Sequence, residues 1–278
     1  MGTKINLLDL FSGIGGFHLG LERAGFKINS FNSEIDKYAN QVYKHNFKNS
    51  THVGSVTNVR RSELPRINAI TFGSPCQDFS IAGNRKGMGG ERSSLILEAI
   101  RLIKECRPDF FIWENVKGTF SSNNRQDFAA ILQAFANIGG YRLEWQLLNT
   151  AWFLPQNRER IYLVGHTSNK SGRQIFPIGE SQGKIKYLQR QQGDTNTITA
   201  RYAGCGSGSY IVKRKQYAQN KTRRLTPIEC ERLQGFPTNW TQYGTQGIIS
   251  DTQRYKMCGN AVTVKVVEEV AKRIINIK

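Results

Sequence analysis

A strand, a glycine turn and a helix in direct succession near the start of the chain leave few folds open. Ile5 to Phe11 is an apolar run of the kind that forms a strand buried on both faces of a parallel sheet. Ser12-Gly13-Ile14-Gly15-Gly16 follows with no spacer, and Phe17, Leu19, Leu21 and Ala24 then recur at helical spacing as far as Gly25. A second strand is expected from Phe26 to Phe31, with Glu34 at its tip. An acid about 20 residues past a glycine turn is placed as in sites where a carboxylate holds ribose hydroxyls. Glycine lets backbone approach a ligand with no Cβ in the way, Phe11 can pack on that ligand, and Glu34 can accept two hydrogen bonds from a diol. The spacing is not the strict G-x-G-x-x-G of pyrophosphate binders, so a cofactor with adenosine but no pyrophosphate suits it better. The other reading is a tight turn in a ligand-free α/β core, with Glu34 an ordinary surface acid.

Two further strand tips follow. Asn68 to Gly73 reads as a strand, and Ser74-Pro75-Cys76-Gln77 lies just beyond it. A cysteine held there by a stiff proline is placed like a nucleophile, although a lone cysteine is more often a small buried thiol. Ala82 to Arg92 is rich in Gly, Lys and Arg, which suits either a loop closing over a phosphate-bearing ligand or a plain exposed loop. Leu95, Ile96, Ala99, Ile100, Leu102, Ile103 and Cys106 form the apolar face of a helix capped by Ser93 or Ser94 and stopped by Pro108. Asp109 to Trp113 is the next strand, with Glu114-Asn115-Val116 at its end. Ligands in open α/β sheets bind outside the carboxyl ends of the strands, so Glu34, Cys76 and Glu114 are expected along one edge.

Phe128, Ile131, Leu132 and Phe135 mark another helix, and a strand is expected over Trp145 to Leu148. In Gln156-Asn157-Arg158-Glu159-Arg160 the two arginines are two apart, which on a strand puts both on one face. They are either a pair of guanidinium groups facing a phosphate, carbonyl or carboxylate, or mere surface charges.

The net charge of +18 over 278 residues draws such a protein to polyanions, nucleic acid first among them. Five scattered cysteines (76, 106, 205, 230 and 258) with no C-x-x-C pair and no clustered histidines argue against a disulfide framework and a structural zinc site; no metal is expected. The chain has no run of apolar residues long enough for a bilayer span and no signal-peptide pattern, so a cytoplasmic setting with no membrane partner is expected.

The ordered blocks Asp9-Leu10-Phe11-Ser12-Gly13-Ile14-Gly15-Gly16, Ser33-Glu34-Ile35-Asp36, Pro75-Cys76-Gln77, Glu114-Asn115-Val116 and Gln156-x-Arg158-x-Arg160 resemble those of the cytosine-C5 DNA methyltransferases. Arg224-Leu225-Thr226-Pro227-x-Glu229-Cys230, Gln234-Gly235-Phe236-Pro237 and Gly259-Asn260-Ala261-Val262 extend the resemblance over nearly the whole chain. It implies a Rossmann-like α/β fold, a methyltransferase sheet with helices on both faces and a small target-recognition domain. It also implies S-adenosyl-L-methionine as methyl donor, with S-adenosyl-L-homocysteine as product. Phe11, Ser12, Gly13, Ile14, Gly15, Gly16, Glu34, Ile35, Ser55, Pro75, Asn260 and Val262 would surround that cofactor. Cys76 would be the nucleophile, Glu114 would bond the polar edge of a flipped-out cytosine, Arg160 would lie near its carbonyl, and Arg158 would support them. One block departs from the family: Gly54-Ser55-Val56-Thr57 has serine where an aspartate usually contacts adenine.

Between Gly165 and Arg224 the composition shifts. Residues 166–223 hold 11 Lys and Arg against Glu180 and Asp194, half of the chain's net charge. The segment occupies the place of the target-recognition region but is short, and for 168–193 a solvated loop is an equal reading. Expected DNA contacts are Gln77, Ser80, Arg85 and Lys86 from the first loop, and Arg201, Tyr202, Gly204, Lys213 and Arg214 from this segment. Thr226-Pro227-Ile228-Glu229 is a capping-box start for a helix to Leu233, and Val266, Val267, Val270, Ile274 and Ile275 mark a last helix. The expected domains are 1–167 with 254–278 for catalysis and cofactor, and 168–253 for target recognition. Double-stranded DNA is the expected substrate of a monomer in a bacterial or phage-infected cell, with a restriction endonuclease or specificity partner beside it. A transfer-RNA methyltransferase, a nicotinamide-dependent oxidoreductase and a non-catalytic DNA-binding relative are the alternatives.

Overall fold

A computed structural model of the chain describes residues 2–73, 94–121, 126–167, 173–179, 195–196, 210–213 and 221–277. The first unit forms as β1 (Lys4–Leu10), α1 (Gly16–Arg23) and β2 (Lys27–Ser33), followed by α2 (Lys37–Asn46) and a short β3 (Thr51–Gly54). Then come β4 (Ala69–Gly73), α3 (Ser94–Cys106), β5 (Phe110–Val116), α4 (Gly118–Ser121), α5 (Gln126–Ala136) and β6 (Arg142–Asn149). After a turn at Thr150–Trp152, β7 (Gln156–Asn157) leads into β8 (Glu159–His166).

Seven of these strands make one sheet in the order β3-β2-β1-β4-β5-β8-β6. The first five run parallel, and β8 is antiparallel to both its neighbours. The order reverses beside β1: β2 and β3 lie on one side, and the chain then crosses to β4 on the other. That reversal opens a crevice at the carboxyl ends of β1 and β4.

Strand periodicity sorts the core into two faces. Ile5 and Leu7 of β1 point to the layer that holds Leu21 of α1, while Leu8 and Leu10 point to the layer that holds Ile96, Ala99 and Ile103 of α3. The last helix, α8 (Val264–Ile275), buries Val266, Val267, Val270 and Ile274 against α1, as its pattern predicts. It follows α7 (Asp251–Asn260), which has little apolar pattern and was not expected from the sequence, nor was α2.

The insert leaves three short described strands. β9 (Thr195–Asn196) pairs with β7, and β10 (Tyr210–Lys213) pairs with β11 (Lys221–Arg224). Residues 173–179 are not a solvated loop: Ile175, Phe176 and Ile178 enter the core, and Glu144 and Gln146 on β6 accept the backbone N–H groups of Ile175 and Ile178 at 2.9 and 2.8 Å.

The capping box of α6 (Pro227–Leu233) is present, with the Glu229 amide donating to Thr226 Oγ1 at 3.3 Å and the Thr226 amide to the Glu229 carboxylate at 2.7 Å. Beyond it, β12 (Tyr243–Gly244) and β13 (Gly247–Ile248) make a small hairpin. Residues 234–249 lie on the first unit. Trp240 Nε1 donates to the Ile14 carbonyl at 2.9 Å, Arg23 donates to the Gly235 carbonyl at 2.7 Å, and Phe236 and Ile249 share a cluster with Ile14, Ala39 and Val42. Residues 234–249, expected within the 168–253 unit, thus share a packed layer with the first unit. A few isolated apolar residues make that layer, and composition averages over them.

Candidate active site

A cavity of about 610 Å³ opens at the carboxyl ends of β1, β2, β4 and β5. One end is built by the turn after β1. Phe11 has φ +50°, a left-handed backbone that a bulky residue rarely adopts, and its ring lines the cavity. Gly15 follows at φ +85° as the N-cap of α1, and a side chain there would run into Phe47. Gly15 is not among the lining residues; its freedom serves the turn and the packing on α2. Gly16 does line the cavity, and a Cβ on it would fall 2.7 Å from Val262 Cγ2. Two segments at opposite ends of the chain can meet there only because Gly16 has no side chain.

Glu34 lies one residue past β2 and is fixed by its own neighbourhood. Its Oε2 accepts the Gly13 amide, and its Oε1 accepts the Ile35 and Asp36 amides, all at 2.8 Å. Three of about four carboxylate lone-pair sites are thus taken, which leaves one on Oε2 for a hydroxyl rather than the two the sequence suggested. Ile35 stands beside it, 83 % exposed, as an apolar edge to the cavity. Ser55, after β3, lines the same end and pairs its hydroxyl with Thr57 Oγ1 at 2.9 Å.

The other end carries Glu114 and Arg160. Glu114 is in β5, in register with Gly73 of β4, and both line the cavity. Arg160 Nε lies 3.2 Å from Glu114 Oε1. That oxygen is buried and makes no hydrogen bond, so the Arg160 charge is its counterpart within the wall. Arg160 spends one N–H on the Glu159 carbonyl at 2.8 Å. Arg158 also borders the cavity but is nearly sealed, and donates to the Gly259 and Ala261 carbonyls at 3.3 and 2.9 Å. These two bonds brace the backbone around Asn260 and Val262, the two C-terminal lining residues expected from the sequence.

Asp36 and Lys256 line the cavity and were not expected there. Asp36 caps α2 through the Tyr38 and Ala39 amides and pairs with Lys256 at 2.6 Å. Burial pushes its pKa up, but the hydrogen bond from Lys256 and the two amides outweigh this and hold it below the ordinary carboxylate value. The N-cap at Asp36, like α2 itself, was not expected from the sequence. The Lys256 partnership, 220 residues away, had no sequence signal.

Pro75, Cys76, Gln77, Ser80, Arg85, Lys86, Arg201, Tyr202, Gly204 and Arg214 lie outside the described residues. Lys213 ends β10. No group of three or more metal-ligating side chains occurs among the described residues. No described helix is long and apolar enough to cross a membrane.

A family model described as C-5 cytosine-specific DNA methylase matches residues 5–192 and 166–276. The Type II methyltransferase M1.ScrFI of Lactococcus lactis subsp. cremoris is 34 % identical over 99 % of this chain and 79 % of its own length. The Type II methyltransferase M.NlaX of Neisseria lactamica is 34 % identical over 96 % of this chain and 95 % of its own. Among solved structures, the Entamoeba histolytica methyltransferase EhMeth shares the fold with a TM-score of 0.78 at 21 % identity, over 99 % of this chain and 98 % of that one.

Proposed function

The chain belongs to the C-5 cytosine-specific DNA methylase family, and from that premise we propose that the cavity holds S-adenosyl-L-methionine at its Glu34 end and a flipped-out cytosine at its Glu114 end. The protein is a DNA (cytosine-5-)-methyltransferase. The residues of the cavity fit such a cofactor. Glu34 retains one acceptor site for a ribose hydroxyl, and Phe11 and Ile35 offer apolar surface for a planar base. When bound, the cofactor supplies the methyl group as an electrophile.

The chain's own residues do the rest. Gly73, three residues before Cys76, lines the cavity beside Glu114. The Cys76 thiolate adds to cytosine C6, forming the S–C6 bond and moving the C5=C6 π pair toward C5 and the ring's N3 and carbonyl oxygen. The Glu114 carboxyl, carrying a proton, donates to N3 as charge develops there and accepts from the amino group, and the Arg160 guanidinium donates to the carbonyl, so the developing charge lies between fixed donors. After methylation a base or water takes the C5 proton, the double bond re-forms and the thiolate leaves. C6 is hidden in a duplex, so the cytosine is flipped out at a cost of a few kcal/mol.

The observation that carries this reading is the Glu114–Arg160 pair, 3.2 Å apart, in the wall of the cavity that Gly73 also lines. Its test is labelled-methyl transfer to duplex DNA by Glu114→Gln, which keeps the shape but loses the carboxylate. The expected fall in kcat is about 10²–10³; unchanged kcat overturns the assignment. We further propose that recognition falls to residues 168–224 minus the docked 173–179, in a monomer with a restriction-endonuclease counterpart, since residues 234–249 pack on the first unit. Cleavage protection of methylated DNA tests the counterpart.

A further inference from the structure

We infer that Gln234, together with Gln156 and Thr263, forms a positioning unit that sets the cofactor cavity's C-terminal wall, a role none of the three plays by touching the cavity itself. The inference rests on the cofactor assignment above. All three side chains are fully buried or nearly so. They come from three separate elements: Gln156 from β7, Gln234 from the end of α6 and Thr263 from the N-cap of α8.

Gln234 is the centre. Its Nε2 donates to the Cys258 carbonyl at 2.9 Å, and its Oε1 accepts the Thr263 hydroxyl at 3.0 Å. Its own carbonyl accepts the Val264 amide at 2.9 Å. Gln156 Nε2 donates to the Leu233 carbonyl at 2.9 Å and lies 3.5 Å from Gln234 Oε1. Thr263 Oγ1 also meets Thr150 Oγ1 at 3.0 Å. The amide donates to Cys258 and accepts from Thr263 at once; an ionised carboxylate lacks the donor and a leucine lacks both.

These bonds converge on one stretch of backbone. The Cys258 carbonyl is held by Gln234, and those of Gly259 and Ala261 by Arg158. Asn260 and Val262, which line the cavity, sit between and beside those fixed points, and Val262 is pressed against Gly16 of the glycine turn. A shift of the 258–263 backbone therefore moves the cavity wall. Buried polar groups on three elements cost more than an apolar core unless all are satisfied, and in return they admit one arrangement.

The test uses the full chain and S-adenosyl-L-homocysteine as probe. Its dissociation constant is measured by calorimetry for the wild type, Gln234→Leu, Thr263→Val and Thr263→Ser, beside methyl-transfer kinetics and melting curves. Losing the buried bonds of Gln234 predicts a dissociation constant about tenfold higher, with several-fold for Thr263→Val and near wild type for Thr263→Ser, which keeps the hydroxyl. KM for the methyl donor rises in parallel, and kcat at saturating donor stays within about threefold. Variants that melt cooperatively yet bind the probe as the wild type does overturn the inference, as does a fall in kcat with unchanged affinity. If Gln234→Leu does not fold, the Thr263 pair decides. A wild type that does not bind the probe fails the cavity assignment itself.

Discussion

Asp9 sits near the carboxyl end of β1 with no exposed surface. Thr71 Oγ1, its neighbour in register on β4, donates to Oδ1 at 2.7 Å, while Oδ2 has no hydrogen-bond partner. Burial, helped by the charge of Glu34 and opposed by the Thr71 bond, pushes its pKa up to about 8. The groups that face it are Thr71, Tyr43 of α2 and Glu34, with His18 of α1 behind Tyr43 at 2.9 Å. In the unfolded chain the carboxyl ionises near its ordinary value of 3.8, so between there and about 8 the folded state keeps a proton that the unfolded state has released. Its share of stability is therefore greatest at the acid end, falls as pH rises through that window and levels off above it. Asp9→Asn removes the titration; urea unfolding at pH 5 and pH 8 should show the variant gaining on the wild type by roughly 3–4 kcal/mol at the higher pH. Equal pH dependence in both proteins would falsify this. A strand buried on both faces already placed Asp9 inside, but its neighbours Tyr43 of α2 and Glu34 had no signal in Asp9-Leu10-Phe11. Glu34 and Glu114 were themselves legible as site residues: each directly follows or ends an apolar strand run, and strand ends meet at one edge whatever the helices do.

Among the elements, those with a strong apolar period were legible and those held by polar partners were not. The α8 pattern of valines and isoleucines predicts its buried face, and Thr226-Pro227-x-Glu229 predicts the start of α6. In that box Arg223 pairs with Glu229 at 2.7 Å and, with the Thr226 bonds, holds the Glu229 carboxyl down at about 2, although burial opposes them. Thr226→Ala removes the cap and should cost about 1 kcal/mol in chemical denaturation; no measurable loss would show that packing alone fixes the helix start. By contrast α7 buries Arg254, whose charge is met by Glu231 at 3.0 Å and by Thr241, partners 23 and 13 residues away. No local pattern encodes that. The docked segment at 173–179 was likewise lost in a polar stretch, since only Ile175, Phe176 and Ile178 mark it. Ile175→Ala leaves a cavity in the core and should destabilise by about 2–5 kcal/mol in the same assay; an effect below about 0.5 kcal/mol, the range of surface substitutions, would place the segment outside the core.

At the scale of the whole molecule, the sheet order and the cavity explain why blocks scattered from residue 5 to residue 262 belong to one site. The reversal beside β1 gathers the β1 turn, Glu34, Gly73 and Glu114 along one edge, and α7 returns the C-terminus to close it. The charge follows a different plan. Half of the net +18 lies in residues 166–223, so DNA affinity should fall steeply with salt. Lys215 adjoins the expected phosphate contacts Lys213 and Arg214, and replacing all three by Gln should reduce the slope of log affinity against log salt by about 2–3, with nearly uniform loss across sequences. An unchanged slope would remove these three from the DNA contacts. The central claim, a cysteine nucleophile serving the Glu114 wall, is tested most directly by labelled-methyl transfer to cytosine C5 in duplex DNA, wild type against Cys76→Ala. Label is expected in the DNA cytosines with the wild type and none with the variant, while both bind S-adenosyl-L-homocysteine alike. Label deposited equally by the variant would contradict that claim.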